Sequence, residues 1–236
     1  MDSLVVIVFV LIVVAVVAIR MMVAKRETKR SDEFASIAEE LGMEYSKSVD
    51  KTFLNGLKQF RRFETNRQRR VNARNVITMK HHDMLVMFFE CPYVSRSSSN
   101  KTSGQSGQIQ SIFYFQSPKL NLPRFTLQTM NSMAQSFLGL FGIEDIDFSN
   151  HPEFSQKYLL NGPDSIKIKN LFNDTLLNHL VNVNGLDIEG NEDTLIIYPS
   201  ADQDPFADNH IPYTRLDPQH FKSQQELALQ VCKLFC

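Results

Sequence analysis

Four side chains in one short stretch, Asp145, Asp147, His151 and Glu153, are of the types that move protons or hold a divalent ion. Carboxylates and an imidazole at this spacing in a turn can converge on one cation or share acid–base work. The plainer reading is a solvated, hydrogen-bonded acidic turn. A second stretch is basic, with Arg61, Arg62, Arg67, Arg69, Arg70 and Arg74. Close to a bilayer such residues attract anionic lipid headgroups, at about 1 kcal/mol each. A solvated face is again the plainer reading. Nucleic acid fits less well, because aromatic interleaving is limited to Phe60 and Phe63.

Other chemistries lack their residues. The patterns GxxxxGK[ST], GxGxxG and GxSxG are absent, so no phosphate loop or nucleophile elbow is expected. His81 and His82 are adjacent, and neighbours in a strand point to opposite faces. The three cysteines, Cys91, Cys232 and Cys236, form no CxxC pair. Their sparse, odd count argues against a disulfide framework and for a reducing compartment. Cys91 ends an apolar strand and Cys232 lies on a helical core stripe, which is where inert thiols sit. No catalytic residue, cofactor or metal ligand is assigned.

The elements that must position these residues begin with a membrane anchor. Leu4 to Ile19 is an unbroken apolar run; Arg20 interrupts it and Met21 to Ala24 continue it. A spanning helix needs about 20 residues for a hydrocarbon core of roughly 30 Å. Arg20 can snorkel to the headgroups, so that 4–24 spans. A cleaved signal peptide would have a basic n-region, whereas Met1-Asp2-Ser3 carries none. Lys25, Arg26, Lys29 and Arg30 follow the run, against Asp2 before it. The positive-inside rule then sets residues 1–3 outside and everything after 24 in the cytoplasm, in a single pass through the plasma (inner) membrane. On that side the sequons at Asn100 and Asn173 are silent.

Residues 25–30 read as a basic juxtamembrane stalk and 31–236 as one soluble domain. Its near-neutral charge hides an asymmetry. From Lys51 to Lys80 there are nine Lys and Arg against one Glu, whereas Leu140 to His210 holds thirteen Asp and Glu against three Lys. Two oppositely charged faces of one fold are expected. Ser31 to Gly42 reads as a short amphipathic helix. Val71 to Cys91 reads as two strands around His81-His82-Asp83, and Ile109 to Phe115 as a third beyond the polar loop 95–108. Further strands are expected at Phe125–Gln128 and Tyr158–Leu160, and a helix at Met130–Leu140. One long helix is expected from Pro163, with Ile168, Leu171, Phe172, Leu176 and Leu180 on one face. Leu186–Glu189 and Thr194–Tyr198 read as a hairpin across residues 190–193. Asp204 to Tyr213 reads as a loop, and Asp217-Pro218 opens a last helix. The fold class is therefore α+β: an N-terminal transmembrane helix, then a mainly antiparallel sheet with flanking helices, expected to cover one side.

Leu122-Pro123-Arg124-Phe125-Thr126-Leu127 and the stretch from Ile146 to Phe172 carry a family resemblance. It is sharpest at Asp147-Phe148, Pro152, Phe154-Ser155, Tyr158, Leu160, Gly162 and Leu171-Phe172. The chain resembles an uncharacterised family of bacterial single-span membrane-anchored proteins with a domain of unknown function. That likeness implies a bacterial inner-membrane protein and brings no activity, cofactor or site residue with it. The functional reading is a membrane-anchored cytoplasmic binding or scaffold module, contacting an unknown protein partner or the anionic membrane surface. The alternative is an enzyme of unrecognised class that uses Asp145, Asp147, His151 and Glu153.

Overall fold

The structure, a computed structural model, describes residues 3–64, 72–81, 83–93, 108–130, 145–200 and 215–236. The expected helix at 130–140 and the loops 95–108 and 204–213 lie almost wholly outside them. Helix α1 runs without a break from Ser3 to Glu40. The apolar run, the basic stretch 25–30 and the amphipathic stretch share one helix, where a separate short helix from Ser31 was expected. No Gly or Pro interrupts residues 3–40, so nothing breaks the hydrogen-bond ladder. Its large apolar side chains from Val5 to Val23 are exposed. This helix is long and apolar enough to cross a membrane. It ends where Gly42 takes a φ of 66° and Met43 N–H reaches back to Ala38 O at 2.7 Å, a left-handed cap that favours glycine.

From Glu27 onward α1 faces the domain. Glu27, Arg30 and Ser31 are half-buried and Phe34 and Ala38 fully buried, a stripe at helical spacing. After α1 come β1 (Glu44–Ser48), α2 (Lys51–Gly56), a 3₁₀ turn (Leu57–Gln59) and α3 (Arg61–Glu64). Then follow β2 (Arg74–His81), β3 (Met84–Tyr93), β4 (Gln108–Gln116) and β5 (Leu122–Thr129). The second half holds α4 (Pro152–Lys157), β6 (Tyr158–Asn161), α5 (Ser165–Leu171), α6 (Asp174–Asn182), β7 (Leu186–Glu192) and β8 (Thr194–Pro199). A 3₁₀ turn (Pro218–His220), with the Asp217 carboxylate accepting Gln219 N–H at 3.0 Å, leads into α7 (Phe221–Lys233). The strands form one eight-stranded sheet, ordered β1-β2-β3-β4-β8-β7-β5-β6, and every neighbouring pair is antiparallel. The chain is α+β, as its hairpins imply.

Further details differ from the sequence reading. Helix cover lies on both faces: α1 and α5 to α7 bury Phe88, Phe113, Leu127 and Ile188, while Leu57, Phe60 and Phe63 bury Phe89, Ile112 and Tyr198 on the other face. The single helix expected after Pro163 is two. Asn173 leaves the helical region at ψ 169° and its side chain accepts Leu176 N–H at 3.0 Å, capping a new helix. The β7–β8 turn is shorter than expected because Glu192 takes φ 54° and lets the strand run to its own end. Gly190 is required within β7, since a Cβ there would stand 2.3 Å from the Phe125 ring.

Candidate functional site

The best-defined cavities among the described residues hold about 10 Å³ each, one lined by Met43, Phe88 and Gln225 and the other by Ser111, Tyr198 and Leu216. Each admits about one water. Burial pushes the Cys91 thiol up to about 12 and raises Cys232 as well, so neither offers a thiolate at neutral pH.

The acidic stretch is built into the scaffold. Asp145 accepts Leu160 N–H at 3.0 Å, and Ile146 N–H donates to Leu160 O at 2.8 Å. Together they satisfy the outer edge of β6, which would otherwise present unpaired backbone. Burial raises the Asp145 carboxyl above its usual range, and the charge of Asp147 adds to this. His151 Nε2 lies 2.7 Å from Asp174 Oδ1, tying the turn to the start of α6. Asp147 and Glu153 are exposed. At the other end of α6, the Tyr158 hydroxyl lies 2.7 Å from Val183 O and the Lys157 ammonium bonds Val181 O. Among the described residues no three His, Cys, Asp or Glu side chains are placed to hold a metal ion.

The arginine tract divides. Arg67, Arg69 and Arg70 lie outside the described residues. Arg62 turns inward: its guanidinium sits 5.2 Å from the centre of the Tyr198 ring, and its backbone N–H donates to Glu189 Oε1 at 3.1 Å. Tyr198 donates to the same oxygen at 2.7 Å. Arg61 is half-buried beside it. Arg74 also turns inward, with Nη2 2.8 Å from Glu27 Oε2.

Next to Glu189 on the same face of β7, Asp187 accepts Thr129 N–H at 2.9 Å. Burial pushes its carboxyl from 3.8 up to about 6 despite that bond. A raised carboxyl pKa means the folded state holds its proton more tightly than the unfolded chain, so stability falls as pH rises from about 4 to about 6. The cost of ionisation is then present throughout the neutral range. Asp187→Asn keeps the acceptor and removes the charge. We expect it to be more stable than the parent by about 3 kcal/mol at pH 7.5 and to match the parent closely at pH 4, in denaturant titrations at both pH values. Equal midpoints at pH 7.5 would show that Asp187 carries no such strain.

The largest constellation is the one sequence reasoning missed. Glu90 ends the apolar run of β3 and is fully buried. Its Oε1 accepts Arg30 Nη2 at 2.6 Å and Arg215 Nε at 2.9 Å. Its Oε2 accepts Asn75 Nδ2 at 2.7 Å and Arg215 Nη2 at 3.1 Å. Arg215 also grips both oxygens of Glu27, at 2.8 and 2.7 Å, in the two-pronged geometry that suits guanidinium. Asn75 sits at φ 51°, in a register shift of β2, and its side-chain oxygen accepts Ser31 Oγ at 2.7 Å and Tyr45 Oη at 3.1 Å. Arg30 further bonds Leu216 O, and Leu216 N–H donates to Ser111 Oγ at 2.8 Å.

Burial pushes the Glu90 carboxyl up, but the bonds and charges of Arg215 and Arg30 outweigh it and hold Glu90 below the usual range. Arg215 likewise holds Glu27 below its usual range. Glu27 and Glu90 in turn keep Arg215 protonated more firmly than burial alone would allow. The cluster therefore binds the start of the docked half of α1, the sheet and the chain entering α7 into one joint. A lone Glu between Phe89 and Cys91 in an apolar strand was its signal, because a charge there demands a partner.

No family model matches the chain, and no curated protein matches it at a significant level. A solved structure does. The crystal structure of the mycobacterial trehalose monomycolate transport factor A, TtfA, superposes with a TM-score of 0.52 over 87% of this chain and 92% of that one. The identity is 10%, so the likeness shows a shared fold.

Proposed function

We propose that the chain is a single-pass inner-membrane protein, with residues 4–24 crossing, 25–30 at the cytoplasmic headgroups and the remainder a cytoplasmic binding module. The observation that carries this reading is α1, whose exposed apolar half continues directly into the stripe that docks the domain. Lys25, Arg26 and Lys29 are exposed just past the apolar run, the flank that the positive-inside rule places in the cytoplasm. The fold shared with the transport factor TtfA is compatible with a non-catalytic binding role. The resemblance to bacterial single-span proteins of unknown function supports the same reading.

Protease accessibility of a C-terminal tag tests the orientation. In spheroplasts the tag should be protected, and in inverted membrane vesicles it should be digested. Digestion in spheroplasts would place the domain outside and overturn the cytoplasmic reading.

A further inference from the structure

Helix α1 runs alongside β2. Glu27 meets Arg74, Ser31 meets Asn75, and the Phe34 ring lies 5.0 Å from Phe88, the partner of Ile77. Strand β1 runs back in the opposite sense, so that Ser48, paired with Arg74, comes level with Glu27. Ala24, the last apolar residue, precedes Glu27 by about 4.5 Å along the helix. The corner from Lys47 to Lys51 is therefore carried about one helical turn from the end of the apolar run. Because the Glu90 joint grips α1 at Glu27 and Arg30, no loose linker lies between the apolar run and this corner.

Lys47 and Lys51 are exposed at the corner, and Lys25 and Arg26 are exposed on the neighbouring turn of α1. The carboxylate among them, Asp50, accepts Phe53 N–H at 2.7 Å as the cap of α2. Lys29 on the same turn lies 3.6 Å from Glu33. Arg62 and Arg74 of the arginine tract, by contrast, face protein partners.

We infer that Lys47 and Lys51 of the β1–α2 corner, with Lys25 and Arg26 of α1, form a docking surface for the anionic phospholipid headgroups of the bilayer that α1 crosses. The inference rests on reading α1 as a span. It adds a second contact with the same membrane, made by the domain itself.

The full chain is reconstituted in nanodiscs of neutral phosphatidylcholine, or of the same lipid with about one third phosphatidylglycerol, and amide exchange is followed over residues 46–55. Each docked lysine is worth about fivefold, so exchange should slow by about five- to twentyfold in the anionic discs. Lys47→Glu with Lys51→Glu should abolish the difference, as should raising the salt to about 0.5 M, where screening shortens to a few ångströms. Equal exchange in the two lipids overturns the inference. So does slowing confined to the far end of the sheet, at the turn around Asp193. Both leaflets of a nanodisc are alike, so this result is independent of the side on which the domain resides, which the protease experiment reads separately.

Discussion

Glu90→Ala is expected to destabilise the protein by about 3–5 kcal/mol, because it leaves Arg30 and Arg215 without the buried carboxylate that neutralises them. For a chain of this size that is a fall in the melting midpoint on the order of 10 °C, measured on the full chain in mild detergent. Removing one member of a buried ion cluster costs more than the cluster contributes net, since the penalty is mostly the stranded charge. Glu90→Gln retains the volume and one acceptor, and should destabilise by less. The pH dependence discriminates further. Glu90 and Glu27 have folded-state pKa values below the ordinary 4.5. Their contribution is complete above that value and is lost as pH falls through it towards the folded-state pKa. The parent should therefore lose stability steeply in that acid window, and Glu90→Gln should lose less. A melting midpoint for Glu90→Ala within about 2 °C of the parent would mean that the joint contributes little and that α1 is held by its apolar stripe alone.

How much of this was readable in the sequence depended on the physical signal each part carries. Met84 to Phe89 and Thr194 to Tyr198 were recognisable as strands because each is a short, nearly continuous apolar run that includes β-branched and aromatic residues. The same continuity held information about the cover of the sheet. Phe88 and Phe89 point to opposite faces and both are buried, so the sheet had to be covered on both sides. Strand β1, EYSKS, was not readable, because an exposed edge strand needs no apolar alternation. Its Ser46 hydroxyl donates to Ser48 O at 2.7 Å and Lys47 is exposed, both of which discourage pairing with another chain. The break at Asn173 was masked by Ile168, Phe172 and Leu176, which stay roughly in helical phase across it. The β4–β8 pairing joins residues about eighty positions apart, and no local pattern encodes it.

The acidic stretch shows the opposite difficulty, since residue type suggested chemistry and spacing said nothing of the backbone and helix contacts made by two of its members. Asp145 closes a strand edge and His151 holds the start of α6, which fixes two of the four candidates by backbone and helix demands. The Glu90 joint draws on four separate parts of the chain, Glu27 and Arg30, Arg74 and Asn75, Glu90, and Arg215. Only the first of these lies beside the anchor in sequence. Spacing could not assemble it, and only Glu90, set between Phe89 and Cys91, was conspicuous as a charge among apolar neighbours.

Phe34→Ala is the complementary experiment, directed at the apolar half of the same attachment. Phe34 is fully buried, with ring centres 5.0 Å from Phe88 and 6.1 Å from Phe221, and Arg30 stands 4.9 Å above its face. Truncating a buried phenylalanine costs about 3–5 kcal/mol, part of it lost transfer energy and part the cavity left behind. The loss should concentrate where α1 meets the domain, so amide exchange in residues 30–40 should accelerate more than exchange in β3 or β8. Phe9→Ala is the control: its side chain is 66% exposed on the same helix, and in detergent it should leave domain stability within about 0.5 kcal/mol. Because Arg30 touches both the Phe34 ring and Glu90, the costs of Phe34→Ala and Glu90→Ala should not add. The double variant should lose less than the sum by about 0.5–3 kcal/mol. Strict additivity would separate the aromatic contact from the ion cluster, and α1 would then be held by two independent attachments in place of one.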